Sequence, residues 1–139
     1  MNSKYEINTK ENREFLKASC EDLLNFGHRF PSPNGGSYYL GDDGTPWKDR
    51  NRETWITCRM AHVYSLGLML GHEGSGELAD AALKGLRGEL HDEKNGGWYA
   101  GVTPEGDIVP NKQCYAHAFV ILAASSALTA GRSGAEELL

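Results

Sequence analysis

The run Thr54-Trp55-Ile56-Thr57-Cys58-Arg59-Met60-Ala61-His62-Val63-Tyr64-Ser65-Leu66-Gly67-Leu68-Met69-Leu70-Gly71 decides the fold. Apolar residues fall on nearly every side at helical spacing and Gly71 is a natural stop, so the stretch predicts a helix surrounded by other helices. Trp55, Arg59 and His62, at i, i+4 and i+7, project from one face of it. A guanidinium stripped of water and left unpaired is very costly, so something polar must meet Arg59. Two readings satisfy that demand: a structural ion pair, with Glu53 or another carboxylate, or a cavity in which the Trp/Arg/His face meets a polyhydroxylated ligand.

On the N-terminal side, Asn8 followed by Glu11 predicts a helix start, and Phe15, Leu16, Ser19, Cys20, Leu23 and Leu24 recur at three-to-four spacing up to Gly27. This helix has one wet face. Residues 28–49 are rich in Pro and Gly, and within them Ser37–Leu40 and Thr45–Trp47, joined by Gly41-Asp42-Asp43-Gly44, predict a short hairpin. On the C-terminal side, Leu78, Ala82, Leu86 and Leu90 mark a second amphipathic helix, which Asn95-Gly96-Gly97 breaks. Trp98–Val102 and Asp107–Val109, joined by a Pro104-Glu105-Gly106 turn, predict a second hairpin, and Gln113–Ala130 a second all-round apolar helix ending at Gly131.

The order therefore repeats: amphipathic helix, Gly-rich hairpin with paired aromatics, apolar helix, glycine stop. Gly36-Ser37-Tyr38-Tyr39 matches Gly96-Gly97-Trp98-Tyr99, and Gly71 matches Gly131, both at a spacing of 60. Repetition of this kind predicts an array of helical hairpins, amphipathic helices outside and apolar helices inside. Gly131–Leu138 echoes Gly71–Leu78, so a third unit is expected to begin there. Two units leave the inner layer with exposed apolar flanks, to be covered by a further C-terminal part or by homo-oligomerisation. The same shift sets Trp55 against Tyr115 and Thr57 against His117, which puts aromatic and polar side chains near the N-terminal ends of both inner helices.

Composition narrows the function. The chain has 139 residues, of which 40% are hydrophobic and 24% charged, enough for one globular domain or less. A net charge of -5 with dispersed acidic residues offers no basic patch for nucleic acid or a membrane surface. The first thirty residues carry no apolar run of signal-peptide type, so a cytoplasmic location is expected. Cys20, Cys58 and Cys114 form an odd set without a Cys-x-x-Cys pair and read as buried thiols in a reducing compartment. The five histidines show no metal-ligand spacing, so no metal site is expected. His62, one turn inward from Arg59, suits a structural hydrogen bond, and His28, His72 and His91 fall at helix ends or turns. Trp98 and Tyr99 suit packing of their hairpin. Lys112, at the start of a helix, reads as solvated.

The three motifs Trp55-Ile56-Thr57-Cys58-Arg59-Met60-Ala61-His62-Val63-Tyr64, Gly96-Gly97-Trp98-Tyr99-Ala100 and Lys112-Gln113-Cys114-Tyr115-Ala116-His117, in this order, resemble the N-acylglucosamine 2-epimerase superfamily. Within it the chain looks most like bacterial aldose-ketose isomerases acting on mannose or sulfoquinovose, from about Phe15 to the last residue. The resemblance implies an all-α (α/α)6 toroid with short β-hairpins at the active-site mouth. Residues 1–139 would supply the N-terminal portion of that single domain, about two of six hairpins and the start of a third. It implies proton transfer between C1 and C2 of a monosaccharide through an enediol, with histidines as acid and base and no cofactor. Carried over residue by residue, Arg59 and Tyr115 correspond to sugar-contacting residues, and Trp55 and His117, in the same motifs, are further substrate-binding candidates. The catalytic histidines would fall beyond Leu139, so the segment is expected to be inactive alone.

The residue types suit that chemistry. A guanidinium near O1 and O2 stabilises charge developing on an enediolate, and aromatic faces cover the apolar faces of a pyranose. The alternatives are 2-epimerisation of N-acylglucosamine or cellobiose, and a catalytically silent helical-hairpin protein used for interaction.

Overall fold

The computed structural model describes residues 3–139. Helix α1 (Lys10–Gly27) is followed by a hairpin of strands β1 (Tyr39–Leu40) and β2 (Pro46–Trp47), then β3 (Arg52–Glu53) and helix α2 (Thr54–Met69). Helix α3 (Ser75–Arg87), a hairpin of β4 (Gly101–Val102) and β5 (Ile108–Val109), and helix α4 (Cys114–Thr129) repeat the pattern. Short 3-10 turns occupy Ser3–Tyr5 and Glu136–Leu138. The molecule is thus mostly helical with a few short antiparallel strands, as the periodicities require.

Local chemistry explains the helix ends. The first helix is capped by Thr9 rather than started at Asn8: Thr9 has the extended backbone of a cap, and its Oγ1 accepts from the Asn12 N–H at 3.1 Å. At the other ends, Gly71 and Gly131 adopt φ of 82° and 69°, in the left-handed region where glycine pays no Cβ penalty. The surrounding bonds are the same in both places. Leu70 donates to Leu66 O and His72 to Gly67 O, while Ala130 donates to Ser126 O and Arg132 to Ala127 O, all at 2.9 Å.

Helix α2 packs most extensively on α3 and α4. Its Cys58, Ala61 and Tyr64 are buried with Leu83 and Leu86 of α3 and Val120, Ala123 and Ala124 of α4. Tyr64 stacks on Phe30 with centroids 5.3 Å apart and donates to the Leu24 carbonyl at 2.8 Å. Burial pushes its phenol up to about 12. Burial likewise pushes the Cys58 thiol far above its ordinary value. Cys20 is half-buried and Cys114 exposed, which corrects the expectation of three buried thiols. Cys114 is the first residue of α4, where the helix has not yet entered the core.

Strand β3 is absent from the sequence reading because two residues carry no period. It pairs antiparallel with β4, Arg52 opposite Val102, so the segment leading into α2 becomes the third strand of the second hairpin. The Arg52 guanidinium, buried at this junction, donates to the Gly35 carbonyl at 3.0 Å and pairs with Glu89 at 2.6 Å. Gly85 of α3 lets the Gly35-Gly36 loop lie on the helix. Gly36 N–H donates to Ala81 O at 3.1 Å, and a Cβ on Gly85 would run into the Gly36 backbone.

The repeat is real, but its register grows from 60 in the helices to 61 in the Gly-rich turns and 62 in the paired strands, where Tyr39 opposite Trp47 corresponds to Gly101 opposite Val109. Tyr38 N–H donates to Phe30 O at 2.9 Å and Tyr99 N–H to Leu90 O at 3.0 Å, so Tyr38 corresponds to Tyr99 while Phe30 corresponds to Leu90. The second turn holds one residue more, and Gly36 matches Gly97, not Gly96. Burial differs between equivalent positions. Leu83 and Leu86 are 0% exposed beneath α2, whereas their counterparts Leu23 and Phe26 on α1 are 71% and 44% exposed. Ile121, Leu122 and Leu128 of α4 are exposed as well.

This asymmetry yields a paired prediction. Leu83→Ala should cost about 2–4 kcal/mol by the large-to-small rule for packed cores, whereas Leu23→Ala should stay within about 0.5 kcal/mol. Urea denaturation of the two variants checks it; equal losses would mean that α1 is as well packed as α3.

Candidate functional site

Each apolar helix begins directly under a hairpin, and one kind of bond fixes the two together. Thr57, in the first turn of α2, donates its hydroxyl to the Glu53 carbonyl at 2.9 Å and accepts the Ser37 N–H at 3.0 Å. His117, in the first turn of α4, meets the Gln113 carbonyl through Nδ1 at 2.8 Å and accepts the Trp98 N–H on Nε2 at 3.1 Å. Both side chains bridge a carbonyl four residues back to a hairpin donor, so the imidazole does for α4 what the hydroxyl does for α2. The partners assign the proton to Nδ1. Both His117 nitrogens are therefore engaged within the chain, and the ring lies against Trp98 with centroids 5.7 Å apart.

Arg59 sits one turn further along α2, at the contact with α4. Its guanidinium carbon lies 4.8 Å from the centre of the Trp55 ring and 5.0 Å from that of Phe119. Its Nη2 donates to the Tyr115 hydroxyl at 3.3 Å. Tyr115 in turn lies 6.2 Å from Trp55 and 4.9 Å from Phe119, centroid to centroid. Three of the four sequence candidates, the half-buried Trp55 and the exposed Arg59 and Tyr115, thus form one cluster, with His117 behind it under the second hairpin. Phe119 was missed, although it stands 60 residues from Arg59 and the repeat could have flagged it.

Of the two readings of Arg59, the ion pair with Glu53 is not formed. The Glu53 carboxylate accepts instead from the Trp55 indole N–H at 2.9 Å and from the Tyr39 hydroxyl. Burial, followed by that bond to a carboxylate, holds the Tyr39 phenol well above its ordinary value. His62 meets the Ser126 hydroxyl through Nδ1 at 2.7 Å. It ties α2 to α4. The arrangement offers a cation on an aromatic bed beside a phenol, which suits an oxygen-rich ligand with apolar ring faces.

The hairpin over His117 is held by a second charge pair. Asp92 is buried and accepts from the N–H groups of Lys94 at 3.2 Å and Asn95 at 3.0 Å, and from Lys112 Nζ at 2.7 Å. Lys112, exposed as expected, also reaches the Gly96 carbonyl and so helps to close the turn. Among the described residues no cluster of three or more His, Cys, Asp or Glu could hold a metal ion, and no helix is long and apolar enough to cross a membrane.

Against known proteins, residues 35–139 match the family model described as N-acylglucosamine 2-epimerase. The chain is 40% identical over 128 residues to a D-mannose isomerase of Thermobifida fusca, covering 91% of the chain and 31% of the relative. It is 35% identical over 133 residues to a D-mannose isomerase of Pseudomonas cannabina pv. alisalensis, covering 96% and 32%. Among solved structures, a D-mannose isomerase superposes with a TM-score of 0.79 at 26% identity over 94% of the chain and 33% of its own. A cellobiose 2-epimerase from Bacillus thermoamylovorans superposes with a TM-score of 0.74 at 26% identity over 91% and 35%. The chain spans about a third of the length of these proteins.

The Asp92 carboxyl is held far below its ordinary value, chiefly by Lys112 and then by Asn95. A depressed carboxylate contributes stability that is complete above the unfolded value and is lost as pH falls through the folded one. The turn should therefore stay closed from neutrality to about pH 4 and open only in stronger acid. In Asp92→Asn that acid step should vanish, as followed by the Trp98 indole resonance.

Proposed function

The chain belongs to the N-acylglucosamine 2-epimerase family, and from that premise we propose that it forms the substrate-binding N-terminal wall of a sugar aldose-ketose isomerase. The substrate is mannose or a sulfoquinovose-type sugar. The observation that carries this reading is the Arg59 guanidinium lying between Trp55 and Phe119 with the Tyr115 hydroxyl at 3.3 Å. A monosaccharide stacked on that bed brings its O1 and O2 to the guanidinium.

In the isomerisation a base removes the proton from C2 of the open-chain aldose. The electrons of the C–H bond form the C1=C2 double bond, and charge moves to O1. Arg59 donors meet that charge, which preorganised groups of this kind stabilise by about 3 kcal/mol. A proton then returns to C1 while the O2 hydroxyl proton is passed to O1, the electrons of the O2–H bond forming C2=O, which leaves the ketose. The acid and base are histidines of the part that corresponds to the remaining two thirds of the relatives, with working pKa values near neutrality. In this reading Arg59, Tyr115 and Trp55 touch the sugar and His117 holds the hairpin above them. No bound cofactor takes part, and the reaction belongs to cytoplasmic carbohydrate metabolism.

The two units are adjacent wedges of an (α/α)6 toroid, residues 1–139 being one portion of that domain. Neighbouring hairpins, or a second copy, cover the exposed Leu23 and Phe26 of α1 and Ile121 and Leu122 of α4. Similarity to a cellobiose 2-epimerase favours a second reading, 2-epimerisation, in which the C2 proton returns to the opposite face of C2.

Mannose should quench the tryptophan fluorescence of the chain, with affinity about tenfold weaker in Arg59→Ala, the loss expected for a hydrogen bond to a charged group. The chain alone should form no fructose. Joined to the C-terminal two thirds of the Thermobifida fusca enzyme, it should turn mannose into fructose. Glucose as the product would favour the epimerase, and turnover by the chain alone would overturn the assignment of the acid and base to another part.

A further inference from the structure

We infer that Glu53 is a positioning residue, whose carboxylate locks the Trp55 indole in the orientation that supports the Arg59 guanidinium. The inference rests on reading the Arg59 face as the sugar site. Glu53 occupies the cap position of α2, where an acidic side chain ordinarily accepts first-turn N–H groups and favours the positive end of the helix. It makes no such bond. Its Oε2 is turned away to the Trp55 indole N–H, at 2.9 Å, and the Tyr39 hydroxyl. An indole has a single donor, so this bond selects one flip of the ring. The same ring carries the Arg59 guanidinium at 4.8 Å and packs edge-on against Tyr39, with centroids 6.2 Å apart.

Comparison of the two units separates this device from the scaffold. The bridge from first-turn side chain to hairpin is present in both, as Thr57 and His117. The carboxylate is not: its counterpart before α4 is Gln113, exposed and without a side-chain cap bond. The positions of Trp55 and Arg59 are taken by Tyr115 and Phe119. A fold that builds the second unit without the Glu53 bonds does not need them in the first. Tyr39 and Glu53 also line, with Arg50 and Asn51, a cleft of about 350 Å³, so the lock has an open side from which a ligand can approach. The bond to Tyr39 joins the first hairpin to the same carboxylate, so hairpin, indole and guanidinium are set as one unit.

The test uses the 139-residue chain labelled with nitrogen-15. The Trp55 indole resonance, assigned with Trp55→Phe, and the Arg59 Nε–H resonance, assigned with Arg59→Lys, are compared in Glu53→Ala and Glu53→Gln. Both resonances should move in Glu53→Ala and return part of the way in Glu53→Gln, which keeps one acceptor oxygen, while the resonances of the core residue Tyr64 stay in place. An unmoved indole means that there is no lock, and a moved indole with an unmoved Arg59 means that the lock does not reach the guanidinium; either overturns the inference. Mannose titration separates this from the function. Where the parent chain binds mannose, Glu53→Ala should bind about tenfold more weakly, and equal affinity would overturn the positioning role. Failure of the parent chain to bind mannose would count against the sugar site alone, the two resonances still deciding whether Glu53 sets Trp55 and Arg59.

Discussion

Everything at the hairpin end of this molecule depends on one constraint: a hairpin laid over the start of a buried helix must have its inward-facing backbone donor met. A buried N–H without a partner costs about 1–3 kcal/mol. Here the donor of Ser37 meets Thr57 and that of Trp98 meets His117, each from the first turn of the helix below. Each side chain is also held by the carbonyl four residues back, so the hairpins cannot slide without breaking both bonds. Rigid hairpins are what bring Tyr39 to Glu53 and close the Asp92 turn above α4.

Within that frame the candidate site is built from residues that do not repeat. Arg59 and Phe119 occupy equivalent positions on α2 and α4, and the contact of the two helices brings the cation of one onto the ring of the other. Trp55 and Tyr115 do the same one turn earlier, one supplying a face and the other a hydroxyl. Repetition thus supplies two matched helix ends, and divergence at the matched positions supplies the cation, the ring faces and the hydroxyl of the cluster. The arginine can remain exposed and still be ordered, because aromatic faces and a phenol hold it where a carboxylate would have cancelled its charge.

The same equivalence explains where stability is concentrated. The second unit is buried on the side where α3 meets α2, while the first has Leu23 and Phe26 exposed at the same positions. In an array of like units each outer helix is covered by the inner helix of its neighbour, so the exposed counterparts mark the faces at which the array has none among the described residues.

The helices, their glycine stops, the hairpins and the repeat were legible in the sequence, because apolar periodicity, positive-φ glycines and a recurring order are local properties. So was the grouping of Trp55 with Arg59, which helical spacing alone dictates. What waited for the tertiary structure was everything set by bonds between segments. The shifted register of the hairpin repeat, strand β3, the closing of the Asp92 turn by Lys112, Phe119 beneath Arg59, and the diversion of Glu53 to Trp55 and Tyr39 each join positions far apart in the chain or below the length at which a period can be read. For His117 the sequence supplies a titratable ring beside aromatics. Only the packing of a hairpin on α4 turns both its nitrogens to the scaffold, because the Trp98 N–H needs an acceptor and the imidazole is the group within reach.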